Sequence, residues 1–177
     1  MNIIFMGYRG SGKTSIGKKI AAQTWKEFVD VDAEVIKRFD GRSIADVWAT
    51  EGQAAFRAAE VEVAIEVLSR TGHVVALGGG TVMQPEAAAA VRDAADAKRI
   101  YLACKPAVLA ERLAADPSTA ATRPPLTGGG GDGASVEEIT TVLAERDPVY
   151  RELADVVFDV TYVGLAEAVA YLARHHL

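Results

Sequence analysis

Gly7-Tyr8-Arg9-Gly10-Ser11-Gly12-Lys13-Thr14 follows the apolar run Ile3-Ile4-Phe5-Met6 and leads into a helical pattern, Lys13 to Gln23. The eight residues satisfy G-x-x-x-x-G-K-[ST] at every fixed position. A strand that feeds a tight turn and then a helix aims backbone N–H groups and the positive helix end at one point. Gly7, Gly10 and Gly12 let the chain curl there without Cβ clashes. Such a loop curls around a phosphate. Lys13 reaches the β- and γ-phosphates and the Thr14 hydroxyl ligates Mg²⁺. A Gly-rich turn that happens to carry a lysine is the weaker reading, because the strand–turn–helix setting is present too. The stretch implies binding of a nucleoside triphosphate and leaves open what accepts its phosphoryl group.

Outward from this loop, strand and helix patterns alternate, which predicts an α/β fold with a parallel sheet. Strands are expected at Asn2–Met6, Glu27–Val31, His73–Leu77, Arg99–Cys104 and Val156–Val160. Helices are expected at Lys13–Gln23, Asp32–Phe39, Ser43–Thr50, Gln53–Ser69, Pro85–Ala95, Pro106–Ala115, Val136–Leu153 and Leu165–His175. One segment breaks the rhythm: Asp116–Ala134 reads DPSTAATRPPLTGGGGDGA. Its Pro, Gly and Thr content cannot hold a core, and a loop that long in a compact domain reads as a mobile lid or a surface insert. Arg123, its one cation, favours a lid over the phosphates.

A chain of 177 residues with half of them apolar suits one domain, 1–177, with a real core. The net charge of −5 disfavours general nucleic-acid binding. Cys104 is the single cysteine, so no internal disulfide forms and a reducing, cytoplasmic setting is expected. No apolar stretch is long enough to span a bilayer, and no cleavable leader pattern precedes the first strand.

Four further clusters carry chemistry. Asp30-Val31-Asp32 closes the second strand; strand alternation predicts two carboxylates facing one way, one for Mg²⁺ and one for an attacking hydroxyl. A pair of helix N-caps is the plainer reading. Arg57 and Glu60 share a helical face beside Phe56 and Trp48, which suggests a pre-organised carboxylate receptor rather than a surface ion pair. Gly78-Gly79-Gly80 ends a buried strand where a Walker-B acid is absent, so a flat ring can approach and Asp30 is left to serve the metal. Arg146 offers a second ligand-binding arginine or a plain surface cation.

Together these residues resemble the shikimate kinase family, within the nucleoside monophosphate kinase-like phosphate-loop proteins. The resemblance runs in order through the phosphate loop, Asp30-Val31-Asp32, Gly41-Arg42-Ser43-Ile44-Ala45-Asp46 leading to Trp48, Phe56-Arg57-x-x-Glu60, Gly78–Gly80, Thr122-Arg123-Pro124 and Arg146-x-Pro148-x-Tyr150-Arg151. It implies a three-layer α/β/α phosphate-loop kinase fold with a five-stranded parallel sheet, a lid near 116–134 and an acceptor-binding helical region near 32–62. It implies ATP- and Mg²⁺-dependent phosphorylation of the shikimate 3-hydroxyl, within chorismate and aromatic amino acid biosynthesis, by a monomer.

Residue by residue, the resemblance implies Gly10, Ser11, Gly12, Lys13, Thr14 and Ser15 on the ATP phosphates, with Lys13 on the transferred group, Thr14 and Asp30 at Mg²⁺, and Asp32 orienting or deprotonating the 3-hydroxyl. Arg57 and Arg146 would grip the shikimate carboxylate, with Glu60 placing Arg57 and Gly78, Gly79 and Gly80 lining the ring. Arg123 would act on the phosphates, and Pro124 would touch the adenine side. The competing readings are another small-molecule kinase, for gluconate or a nucleoside monophosphate, and a nucleotide-binding relative without activity. Intact Lys13, Asp32 and Arg57 argue against the last.

Overall fold

The computed structural model describes residues 1–116 and 135–177. Five strands form one parallel sheet in the order β2-β3-β1-β4-β5. They are β1 (Asn2–Met6), β2 (Glu27–Asp30), β3 (His73–Ala76), β4 (Ala97–Ala103) and β5 (Val156–Asp159). The described helices are α1 (Lys13–Thr24), α2 (Val31–Arg38), α3 (Ile44–Thr50), α4 (Gln53–Leu68), α5 (Pro85–Asp93), α6 (Pro106–Ala114), α7 (Val136–Leu153) and α8 (Leu165–His175), with a 3₁₀ turn at Thr81–Met83. The expected elements are all present, with ends displaced by a residue or two; β4 begins earlier, at Ala97.

Alternation along β1 builds two cores. Ile3 and Phe5 pack with Ile16 and Ile20 of α1 and Val169 and Leu172 of α8. Ile4 and Met6 face the other way, with Val63 and Val67 of α4, Leu109 of α6 and Ile139 and Tyr150 of α7. A sheet buried on both faces needs apolar residues throughout its central strand, and every residue of β1 is buried.

The chain leaves β1 for β2 and β3 on one side and reaches β4 and β5 on the other. β1 is therefore the point where strand order reverses, and the crevice beyond its C-terminal end is the expected ligand site of such a sheet. The phosphate loop leaves β1 there, Asp30 ends β2 there, and Gly78–Gly80 follow β3 there.

One local expectation is corrected. Val31 opens α2 instead of ending β2, so Asp30 is the helix N-cap and Asp32, expected at the helix start, lies in its first turn. The Asp30 carboxylate accepts from the Ala33 N–H at 3.4 Å. The two carboxylates reach the crevice through a strand-to-helix corner, not through alternation on one strand. An aspartate at a cap satisfies an orphan helix donor, and that local gain ends the strand one residue early.

Candidate active site

The phosphate loop takes backbone conformations that favour glycine where its glycines sit. Gly7, Gly10 and Gly12 take φ values of +143°, +79° and +95°. At Gly7 a Cβ would also come within 2.8 Å of the Leu102 carbonyl oxygen. The loop ends at Gly12, the N-cap of α1, which has no side-chain cap of its own. The free N–H groups of that helix end are left for an anion. Lys13 is folded back over the loop, donating to the Gly7 carbonyl at 2.8 Å and the Tyr8 carbonyl at 2.9 Å. These bonds hold the ammonium at the mouth of the loop.

Thr14 and Asp30 meet across the crevice, with Thr14 Oγ1 donating to Asp30 Oδ2 at 2.8 Å. A hydroxyl and a carboxylate are hard oxygen donors, and two such groups with room for water and phosphate suit Mg²⁺. Among the described residues no group of three or more His, Cys, Asp or Glu is placed to hold a metal alone. This cleft, of about 1220 Å³ including its open mouth, is lined by Gly10, Lys13, Thr14, Ser15, Asp30, Asp32 and Arg112, among others.

Beside it lies a smaller cleft of about 440 Å³, lined by Asp32, Ile44, Trp48, Phe56, Arg57, Glu60, Gly79, Gly80 and Arg146, with Arg9 at its edge. Arg57 Nη1 lies 2.5 Å from Glu60 Oε2. Its guanidinium sits 5.7 Å from the centroids of both Trp48 and Phe56, whose rings meet edge to face. The Thr81 hydroxyl donates to the other Glu60 oxygen at 2.6 Å. Burial pushes the Glu60 carboxyl up; the Arg57 charge pulls it down and the Asp32 charge pushes it up again. Arg146 Nη1 donates to the Gly79 carbonyl at 2.9 Å, and the Tyr150 hydroxyl donates to the same oxygen. Burial pushes the Tyr150 phenol up to about 12, so it remains a donor at any working pH.

The glycine triplet has a more specific reason than room for a ring. A Cβ on Gly78 would collide with the Glu60 carboxylate and come within 2.5 Å of Asp32 Oδ1. On Gly80 it would come within 2.7 Å of Arg57 Nη1. The triplet makes room for the protein's own charged groups, which then face the ligand.

The structure thus brings together Lys13, Thr14, Asp30, Asp32, Trp48, Phe56, Arg57, Glu60, Gly78–Gly80 and Arg146. Arg123 and Pro124, with the expected lid, lie outside the described residues. Sequence reading assigned no role to Arg9, Thr81, Tyr150 or Arg112. Thr81 follows the glycine triplet directly, and Arg9 sits inside the phosphate-loop motif. Arg112 carries no local signal. It reaches the site because α6 packs beside the loop, where Arg112 Nη2 donates to the Val160 carbonyl at 2.7 Å.

Comparison with known proteins agrees with this geometry. The family profile described as shikimate kinase matches residues 9–175. Shikimate kinase 2 of Yersinia pestis is 41% identical over 90% of this chain and 86% of its own length. Shikimate kinase of Rhodopirellula baltica is 35% identical over 94% of this chain and 85% of its own. The structure of shikimate kinase from Acinetobacter baumannii in complex with shikimate superimposes with a TM-score of 0.82 at 28% identity, covering 98% of this chain and 90% of that one. The chain belongs to the shikimate kinase family.

Proposed function

We propose that this kinase transfers the γ-phosphoryl group of ATP to the 3-hydroxyl of shikimate across the boundary between its two clefts. The observation that carries the reading is the pairing of a phosphate loop with a neighbouring cleft that holds two fixed arginines against aromatic walls. A carboxylated ring fits such a cleft: Arg57 and Arg146 meet the carboxylate, and Trp48 and Phe56 cover the ring. Gluconate would also offer a carboxylate, but its open chain gains little from the aromatic walls.

Each residue then has a defined task. Lys13 exchanges its loop carbonyls for phosphate oxygens. Thr14 and Asp30 hold Mg²⁺, which when bound neutralises phosphate charge. Asp32 orients the hydroxyl or takes its proton. The hydroxyl oxygen forms a bond to the γ-phosphorus while the bond to the β,γ-bridging oxygen breaks, and that electron pair leaves on ADP. Gly79 is fixed by Tyr150 and Arg146, so the floor of the acceptor cleft is rigid. Such catalysis rests on positioning and charge stabilisation. The base of the nucleotide would lie in the groove bordered by Arg112, Val160, Val163 and Leu165, next to the loop. For Arg123 and Pro124 the assigned contacts rest on the family resemblance alone.

A working monomer is what the family resemblance implies. No described helix is long and apolar enough to cross a membrane. That fact and the lone Cys104 support a cytoplasmic site of action. The position of the new phosphate tests the chemistry: NMR of the product should show it on the 3-hydroxyl. Phosphate on any other oxygen contradicts the placement of Asp32.

A further inference from the structure

Among the described residues, Arg9 and Asp32 are the two that line both clefts. They form a cation and an anion at the boundary a phosphoryl group must cross. Arg9 is the third residue of the phosphate loop and only 7% exposed. Its guanidinium lies 5.9 Å from the centroid of the Tyr8 ring, and the Arg146 guanidinium lies 5.9 Å from the same ring. Tyr8 is itself buried. One fixed ring therefore meets both a loop arginine and an arginine of the acceptor cleft. Gly79 lies against both, its Cβ position 3.4 Å from Arg146 Nη1 and 3.5 Å from the Arg9 backbone nitrogen.

We infer that Arg9 grips the phosphoryl group during transfer and keeps hold of it on the phosphorylated acceptor. The inference rests on the assignment of the two clefts given above. Its physical basis is charge. Asp32 lies on the boundary between the clefts, and a γ-phosphate arriving there meets its negative charge, whereas Glu60 is already paired with Arg57. Lys13 approaches from the nucleotide side. Arg9 supplies positive charge at the acceptor boundary, in a fork that matches two phosphate oxygens. As the acceptor oxygen bonds to phosphorus and the bridging oxygen departs with its electron pair to ADP, the equatorial oxygens stay within reach of that fork. The proton leaves the acceptor hydroxyl toward Asp32 and takes no part in the Arg9 contact. A buried guanidinium needs less reorganisation at that moment than a solvated one, which makes its charge more effective.

A packing role for Arg9 against Tyr8 predicts different behaviour, so two variants separate them. Arg9→Met keeps most of the volume without charge or fork; Arg9→Lys keeps the charge alone. Steady-state rates would be measured for both. Calorimetric titrations with shikimate and with shikimate 3-phosphate would follow, without nucleotide. Arg9→Met should lower kcat about 100-fold. It should weaken shikimate 3-phosphate at least about tenfold more than shikimate, the size of one lost charged contact. Arg9→Lys should fall between Arg9→Met and the wild type in both respects. Equal weakening of the two ligands, or an unchanged kcat, in either folded variant overturns the inference. Should Arg9→Met fail to fold, the ligand ratio in Arg9→Lys decides alone. Wild-type turnover of shikimate is the parallel control: its absence overturns the parent reading. Normal turnover with an unchanged ligand ratio in the variants overturns the Arg9 inference by itself.

Discussion

Arg57 Nη1 and Glu60 Oε2 are held 2.5 Å apart, one turn along α4, with Glu60 almost wholly buried and Arg57 one-sixth exposed. The arginine faces the acceptor cleft and the glutamate faces inward to Thr81. The exposed end is the ligand-binding end, and the buried end is its anchor.

Removing the exposed end should therefore do two things. Arg57→Ala should raise the acceptor KM about 10- to 100-fold, the value of a lost hydrogen bond to a charged group. It should also destabilise the fold by about 3 kcal/mol, because Glu60 is left as an unpaired buried charge. Adding Glu60→Gln to that variant should recover part of the stability and none of the KM. Denaturant unfolding with kinetics on the single and double variants checks this. Recovery of KM by the second substitution would contradict the anchoring role.

Glu60 also gives stability a pH dependence. Burial raises its carboxyl in the folded protein, Arg57 opposes the rise and Asp32 adds to it. The folded state then holds the proton more tightly than the unfolded chain. The associated stability is fully present below the unfolded carboxyl value and is lost as pH climbs through the raised folded value. The unfolding free energy of wild type relative to Glu60→Gln should fall as pH rises from about 4 upward. A difference that stays flat, or grows, contradicts the burial argument.

The two aspartates at the corner of β2 and α2 should separate by readout. Asp30→Asn keeps the cap on Ala33 but weakens the donor set with Thr14. The Mg²⁺ needed for half-maximal rate should rise about tenfold or more, as for loss of a supporting metal contact. Asp32→Asn should leave ATP binding intact and lower kcat by about 100-fold or more, the scale of a lost base or orienting group. Titration of rate against Mg²⁺ in both variants decides. A shifted Mg²⁺ requirement in Asp32→Asn with kcat preserved would reverse the assignment.

Gly80 has φ of −108°, which any residue can adopt, so the cost of a side chain there is contact alone. Gly80→Ala should push Arg57 off its position and raise the acceptor KM severalfold. Gly164, with open space around its Cβ position, provides the control, and Gly164→Ala should leave that KM unchanged. Equal effects in both would show that the triplet acts through something other than Arg57.

Much of this was legible in the chain because its signals are local. The phosphate loop, the apolar strands and the Arg57–Glu60 spacing each lie within one segment, where period and turn chemistry are readable. The strand-to-helix corner at Asp30–Asp32 was legible to within a residue, but its two carboxylates were assigned to strand alternation because an Asp N-cap and a strand end carry the same letters. Arg112 and the bond from Tyr150 to Gly79 were invisible because they join segments 48 to 71 residues apart. Arg9 was overlooked for the opposite reason. It occupies a position that the loop motif leaves unspecified, so the motif assigns it nothing, and its meaning comes from the second cleft beside it.

The most direct test is the initial rate of ADP formation with Mg²⁺-ATP and shikimate, gluconate or a nucleoside monophosphate as the acceptor. The account predicts rapid turnover with shikimate and background rates with the other two. ATP bound without shikimate turnover, or a preference for gluconate, would contradict the assignment of the acceptor cleft.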